Sequence, residues 1–429
     1  MATIISGLQV VLFGALMFSI IVTVHELGHF TAARLFGLRV KEFMLGLPGP
    51  NIGFKFKGTK FGVTPFLLGG YALIAGEGNM KENTHLVNAY SYLAKCGTLT
   101  AEQARAAEAT LGYDLEEALD VLDAWGTIKR YKKRGHYTYK MLQTAQDAEG
   151  QPRLVTDAAA HITAERKLTF NAAPWYQRVI ILAGGVIFNL VFAIIVFTIV
   201  LLIIGNQVPT TTFDSIVEGS PAQAAGLEPG DTIVALQGQP VESWEAFTGS
   251  MSAYHPGDEV SISVDHNGTV RQLTVTLADN NGAPMIGVSP TFEKQPMGLG
   301  EAFTTSVGFI GVVAQAIVKL FNPATFHEVI DQSASVVGIS FEARNFAQAG
   351  LLPFIYLAAA LSVSIGLMNL LPFPPLDGGK IVVETIERIT HRRIPLRVMN
   401  TIAVTGMALL VLLFLYVTNQ DIHRYILGG

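Results

Sequence analysis

Thr23-Val24-His25-Glu26-Leu27-Gly28-His29 lies inside the long apolar stretch Gly7–Phe36. Crossing a bilayer takes about 20 mostly apolar residues, so the stretch is long enough to span, yet it carries three ionisable side chains in its interior. On a helix, His25 and His29 stand one turn apart on the same face, and both imidazoles can bind a single Zn²⁺. Glu26 is beside them, placed to take a proton from a metal-bound water. Ionisable groups inside a span are costly and point to function by default. The alternative is a polar cluster that joins helices through interhelical hydrogen bonds. No basic residue precedes Arg34, and a polar core is foreign to a cleaved signal peptide, so the stretch is expected to remain as a helix.

The rest of the chain extends this reading. Of its 429 residues 50% are hydrophobic and only 15% charged, against about a quarter charged in an average soluble domain. That excludes a cytosolic enzyme and a disordered chain. The formal net charge of −5 offers no basic field for nucleic acid. The single cysteine, Cys96, excludes a disulfide framework and a cysteine-based zinc ribbon, so a metal site must use His, Asp or Glu. Three further stretches are long enough to span: Val179–Gly205, Leu351–Leu371 and Val398–Val417. A fifth, Ala302–Phe321, carries Gln315 and Lys319. Lys and Arg number 19 from Arg34 to Arg178, 4 between Gly205 and Gly350, 5 from Lys380 to Arg397 and 1 beyond. By the positive-inside rule the N-terminus is outside, the long first loop inside, residues 205–350 outside, 380–397 inside and the C-terminus outside. Four spans satisfy this, with Ala302–Phe321 in the interface.

A catalytic zinc usually has three protein ligands plus water. The third candidate is Asp377, in Asn369-Leu370-Leu371-Pro372-Phe373-Pro374-Pro375-Leu376-Asp377-Gly378-Gly379 at the end of the third span. The prolines stop the helix, and Gly378-Gly379 let the backbone turn so that the carboxylate reaches inward. The first and third spans run in the same direction in the four-span reading, which brings Asp377 to the depth of His29. The other reading of Asp377 is a turn or capping residue.

His25-Glu26-Leu27-Gly28-His29 in the first span, together with the Asn369–Gly379 motif, resembles the site-2 protease family of intramembrane zinc metalloproteases, in its bacterial regulator-of-sigma-factor form. The segment Ala173–Arg178 followed by Ala183–Asn189 is similar to the family's second span, with Gly185 and Asn189 in place and Val186 where the family often has proline. The resemblance implies one Zn²⁺ held by His25, His29 and Asp377, Glu26 as catalytic acid and base, and Asn369, Gly69 and Gly70 as substrate-positioning residues.

Residues 53–77 alternate aromatic and polar residues and are punctuated by glycine, which reads as a β-hairpin or short sheet. Such backbone at membrane depth must be buried in protein or line a wet cavity. The resemblance implies a re-entrant element that receives an unwound substrate as an added strand; an ordinary surface hairpin is the alternative. Val217–Ile233, with the alternating runs Val260–Val264 and Leu273–Leu277, resembles a PDZ domain of the bacterial type, which implies capture of peptide termini. Inside the first loop, Leu86–Cys96, Ala101–Leu111 and Leu115–Trp125 read as helices and Gly126–Lys140 as a β-hairpin, weakly similar to a winged helix. Lys81–Lys167 holds 12 basic and 12 acidic residues, so the insertion reads as a regulatory or protein-binding module, with nucleic acid the minor alternative and the basic run suited to anionic lipid.

The expected fold class is therefore an α-helical polytopic membrane protein with four transmembrane helices, a membrane-associated β-hairpin or sheet, one extracytoplasmic PDZ domain (α+β) and a cytoplasmic helical, winged-helix-like insertion. The expected divisions are a first transmembrane helix (1–37), a re-entrant β-element (38–80), the insertion (81–168), a second transmembrane helix (169–205), the PDZ domain (206–293), interfacial amphipathic helices (294–350), a third transmembrane helix with the Leu-Asp-Gly motif (351–379), and a cytoplasmic loop with the fourth helix (380–429). The function implied is an intramembrane zinc endopeptidase of the plasma membrane. Its substrates would be single-span membrane proteins such as anti-sigma factors or signal-peptide remnants, in regulated intramembrane proteolysis. The rival readings are a catalytically silent membrane-anchored PDZ sensor or scaffold, and a metal transporter. The latter would line several spans with ionisable residues, and the other spans carry almost none.

Overall fold

The computed structural model describes residues 2–427 apart from 68, 78–82, 134–135, 143–144, 154, 156, 281–282, 332 and 393. The boundary expected at residues 80 and 81, and Lys81, Arg134 and Arg393 of the charge count, lie outside the described residues. The chain forms two units, Met1–Phe197 with Thr305–Gly429, and Thr198–Thr304.

The first unit opens with helix α1 (Ala2–Leu35), 34 residues long. At 1.5 Å per residue that is about 51 Å, well beyond the roughly 30 Å of bilayer hydrocarbon. It stops at Gly37, whose φ of 74° closes the helix while Leu38 N–H bonds back to Ala33. Four strands follow: β1 (Val40–Leu45), β2 (Ile52–Phe56), β3 (Thr59–Val63) and β4 (Gly70–Ile74). The expected hairpin over 53–77 is thus part of a larger mixed sheet of order β2-β3-β1-β4, with β1 parallel to β3 and antiparallel to β4. Lys57 and Gly58 both have positive φ, the backbone of a tight two-residue hairpin between β2 and β3. Phe30 of α1 packs on Phe43 and Phe61, each at 5.5 Å between ring centres, which fastens the sheet to the helix.

The insertion comprises α2 (Leu86–Cys96), β5 (Thr98–Thr100), α3 (Ala101–Leu111), α4 (Leu115–Trp125), the hairpin β6 (Ile128–Lys133) and β7 (His136–Met141), the short pair β8 (Ala145–Gln146) and β9 (Pro152–Arg153), and α5 (Ala158–Arg166). Thr100 and Gln103 form a reciprocal capping box at the start of α3, Asp114 caps α4, and Gly112 and Gly126 end these two helices in left-handed conformation. Leu93, Leu115, Leu119, Leu122 and Tyr139 form the buried core. A buried ionic cluster joins the insertion to the sheet. Arg39, just before β1, pairs with Glu165 of α5 and donates to the Trp125 carbonyl at 3.2 Å. Arg153 bonds the same carboxylate at 2.6 Å.

Helix α6 (Trp175–Ile204) leads into the second unit. That unit holds β10 (Asn206–Ile216), α7 (Pro221–Ala224), β11 (Thr232–Leu236), β12 (Gln239–Pro240), α8 (Trp244–Met251), β13 (Glu259–His266), β14 (Thr269–Thr276), the small pair β15 (Ala278–Asn280) and β16 (Ala283–Met285), and β17 (Val288–Gln295). Its main sheet has the order β14-β13-β11-β10-β17. Val260, Ile262 and Val264 alternate into a core with Phe213, Ile233 and Phe247, the period of two that a half-buried strand requires.

The chain closes with α9 (Leu299–Lys319), α10 (Phe326–Asp331), α11 (Val336–Ala349), α12 (Leu351–Asn369), α13 (Asp377–Thr390) and α14 (Leu396–Ile422). Among the described residues five helices, α1, α6, α9, α12 and α14, are by length and composition long and apolar enough to cross a membrane. Helix α13 falls where a loop was expected. Three of these helices build the centre of the first unit. Contacts between α1 and α6 advance in opposite senses: His29 meets Ile181, Gly28 meets Gly184 and His25 meets Asn189. An added Cβ on Gly28 would fall 2.1 Å from the Gly184 carbonyl oxygen, so only glycine permits this approach. Contacts between α6 and α12 also advance in opposite senses, with Asn189 against Ser362 and Gly366 and Phe197 against Tyr356, while Phe13 of α1 meets Phe354 near the start of α12. Helix α1 is therefore antiparallel to α6 and parallel to α12. Helix α9 places Phe309, Ile310 and Val313 against Phe197 and Tyr356.

Candidate metal centre

The spacing of four on α1 puts the His25 and His29 rings edge to face, with their Nε2 atoms 3.2 Å apart. Asp377 Oδ2 lies 3.1 Å from His25 Nε2 and 3.3 Å from His29 Nε2. All three residues are buried. The aspartate arrives by a different route from the one its sequence suggested. It is the first residue of α13, and Gly378 and Gly379 lie within that helix rather than in a turn. Their added Cβ atoms would fall 2.1 Å from the Leu370 carbonyl oxygen and 2.2 Å from the Phe373 carbonyl carbon. The glycines thus let the loop after α12 fold tightly over the start of α13, and that packing sets the carboxylate.

The donor set passes a simple geometric test for zinc. Four ligands at about 2.0–2.1 Å around a tetrahedral ion are separated from one another by about 3.3–3.4 Å. The three edges of the ligand triangle here, 3.1, 3.2 and 3.3 Å, are close to that value. His29 Nδ1 donates to the Ile181 carbonyl at 2.8 Å, which leaves its Nε2 lone pair turned to the centre. Such a carbonyl partner is the usual orienting group behind a ligating histidine. An added Cβ on Gly185 would lie 2.5 Å from His25 Cε1 and 2.6 Å from His29 Nε2, so this glycine makes the cradle for both rings.

Glu26 is half-buried beside the triangle. Its Oε2 accepts from the Ala72 backbone N–H at 2.9 Å, which ties it to β4, an edge strand. An added Cβ on Gly70, the first residue of β4, would be 3.8 Å from Glu26 Cγ, and Gly69, with φ of 95°, immediately precedes the strand. Asn369 ends α12 half-buried and, among the described residues, makes no hydrogen bond to His25, His29 or Asp377. Lys380 was not foreseen: its Nζ is 3.7 Å from Asp377 Oδ1 and 3.3 Å from Glu77 Oε1, bridging α13 to the end of the β-element. A Lys one helical turn after a candidate ligand was the available signal. The backbone partners Ala72 and Ile181 leave no trace in a sequence.

A family model described as Peptidase family M50 matches residues 13–413. The zinc metalloprotease RasP of Geobacillus kaustophilus is 27% identical, covering 97% of this chain and 97% of its own. The RasP of Shouchella clausii is also 27% identical, over 95% of this chain and 97% of its own. Among solved structures, the PDZ domain of an SdrC-like protein from Listeria monocytogenes is similar at 27% identity, covering 19% of this chain and 85% of that one with a TM-score of 0.17.

Proposed function

Because the chain belongs to peptidase family M50, we propose that it is a zinc metalloendopeptidase that hydrolyses peptide bonds within or near transmembrane segments, with Glu26 as acid and base and His25, His29 and Asp377 as ligands. The observation that carries this is the triangle of three donor atoms 3.1–3.3 Å apart with a carboxylate next to it. When bound, zinc supplies a Lewis acid that polarises the scissile carbonyl and makes water acidic enough to deprotonate near neutral pH. Glu26 would then accept a proton from the attacking water and return it to the leaving amine. The Ala72 N–H fixes Glu26 Oε2 and leaves its other oxygen for the proton.

A transmembrane helix hides its peptide bonds in intrahelical hydrogen bonds, so a substrate must first become extended. Strand β4 is a sheet edge beside Glu26, and a segment added along it has its main chain next to the metal ligands. Gly70 keeps that side open and Gly69 sets the entry of the strand, and the family resemblance assigns Asn369, at the end of α12, to substrate positioning.

Four spans are the topology we favour. Helix α1 runs parallel to α12 and antiparallel to α6, so the chain makes no net crossing between α6 and α12. Helix α9, whose apolar residues meet the end of α6 and the start of α12, then lies in the interface. The distribution of basic residues favours the insertion and α13 inside and the second unit outside. There the second unit, read as a PDZ domain, admits peptide ends left by a first cleavage. Substrates of this description are anti-sigma factors and signal-peptide remnants, and the insertion serves protein or lipid partners rather than nucleic acid. Family membership favours the enzyme over a silent scaffold.

The test is Glu26→Gln in protein reconstituted with a single-span substrate. Zinc content and folding are expected to persist while cleavage is abolished; undiminished cleavage would sink the proposal.

A further inference from the structure

Helix α6 brings one polar side chain to the metal centre, Asn189, which is fully buried. It is held from the other side by α12, where Ser362 Oγ donates to the Asn189 carbonyl at 3.2 Å and an added Cβ on Gly366 would approach Asn189 Cβ to 3.1 Å. Its amide faces His25. Asn189 Nδ2 is 3.4 Å from His25 Nδ1, whereas Asn189 Oδ1 is buried and has no hydrogen-bond partner.

The two ends of an amide have nearly the same shape, and hydrogen bonding decides which one faces a neighbour. A neutral imidazole carries one N–H and one lone pair. If His25 binds zinc through Nε2, its Nδ1 must carry the proton, and that N–H points at Asn189. An amide NH₂ there sets two donors against each other, while the amide oxygen accepts the proton. His29 already has this arrangement, with Nδ1 donating to the Ile181 carbonyl at 2.8 Å.

We propose that Asn189 is the positioning residue of His25, its Oδ1 accepting the His25 Nδ1–H and so fixing the tautomer whose Nε2 lone pair faces the metal. The two histidines then have matched supports from one helix, a backbone carbonyl for His29 and a side-chain carbonyl for His25. A leucine of similar volume keeps the packing and removes the acceptor. An aspartate keeps the acceptor and cannot present a donor. The inference rests on the assignment of His25 as a ligand, so the experiment includes a variant that tests that assignment separately.

Zinc affinity is measured by competition with a chromophoric chelator on the full-length protein in detergent, with thermal unfolding in excess chelator as the check on folding. Asn189→Leu is expected to weaken zinc binding by about 10–100-fold, the usual effect of losing an orienting partner. Asn189→Asp is expected to stay near the unsubstituted protein, and His25→Ala to lose the site. Unchanged affinity in Asn189→Leu overturns the proposal. So does Asn189→Asp binding as weakly as Asn189→Leu, because packing alone would then explain both. Full zinc binding by His25→Ala removes the ligand assignment and this proposal with it. If Asn189→Leu does not fold, Asn189→Ala, which also lacks the acceptor, replaces it with the same expected loss.

Discussion

Adding one methyl group at Gly185 should dismantle the metal centre while leaving the helices folded. An alanine Cβ there would stand 2.5 Å from His25 Cε1, 2.6 Å from His29 Nε2 and 2.7 Å from His25 Nδ1, and ordinary contact begins at 3.4 Å. Helix α6 or the two rings must therefore give way by about 0.9 Å, the difference between those limits. The rings are tethered: moving α6 outward stretches the 2.8 Å bond from His29 Nδ1 to Ile181 beyond the normal range. Moving the rings instead breaks a triangle whose edges span only 3.1–3.3 Å, and metal–ligand distances tolerate only about 0.2 Å. A misplacement of this size costs on the order of 100-fold in rate, whereas overpacking destabilises by only about 1–3 kcal/mol. Gly185→Ala is thus expected to fold, to lose zinc to a competing chelator and to cut a reconstituted single-span substrate at least about 100-fold more slowly. Wild-type zinc affinity together with wild-type cleavage would refute the reasoning.

Other substitutions probe the supports of the site. Gly28→Leu is expected to separate α1 from α6, because even a Cβ would sit 2.1 Å from the Gly184 carbonyl oxygen; a cysteine cross-link between the helices that still forms at the normal rate would contradict this. Glu165→Leu leaves Arg39 and Arg153 without their shared carboxylate, and breaking a buried pair costs about 3–5 kcal/mol, read as faster hydrogen exchange in the insertion. Burial pushes His161 below its ordinary value of 6.5, against the pull of Glu165 and with Arg153 and Arg39 adding to the shift. The unfolded insertion therefore binds more protons as pH falls through 6.5, so its stability is full above that pH and declines below it. Exchange protection should drop between neutral pH and mildly acidic pH, and the same drop in His161→Gln would rule out His161 as its origin.

How much could be read beforehand follows from what each feature depends on. The two histidines and Glu26 are local: a spacing of four on one helix puts two imidazoles on one face whatever the rest of the chain does. Helices α2, α3 and α4 of the insertion were equally legible, with Thr100, Asp114, Gly112 and Gly126 marking the ends of the last two, whereas α5 was not read. Asp377 could be picked out from its motif, but not how it is held. Gly378 and Gly379 read as a turn because glycine is permissive, and only the Leu370 and Phe373 carbonyls pressed against them give the actual reason. Strand β1 falls within the expected β-element (38–80) but outside the hairpin reading of 53–77, because its partners β3 and β4 are too distant in sequence for any hairpin signal. Asn189 stood in the sequence as a motif letter, and its contact with His25 depends on how α6 lies against α1.

Arg39 sits one residue before β1 and is locked to the insertion through Glu165, while Phe43 of the same strand is in register with Ala72, whose N–H holds Glu26. The insertion and Glu26 are thereby two ends of one short linkage through β1 and β4. Thermodynamic reciprocity then applies: a partner that grips the insertion more tightly in one setting of β1 biases Glu26 toward that setting. A substrate that prefers the same setting must, by the same factor, tighten the grip of the partner.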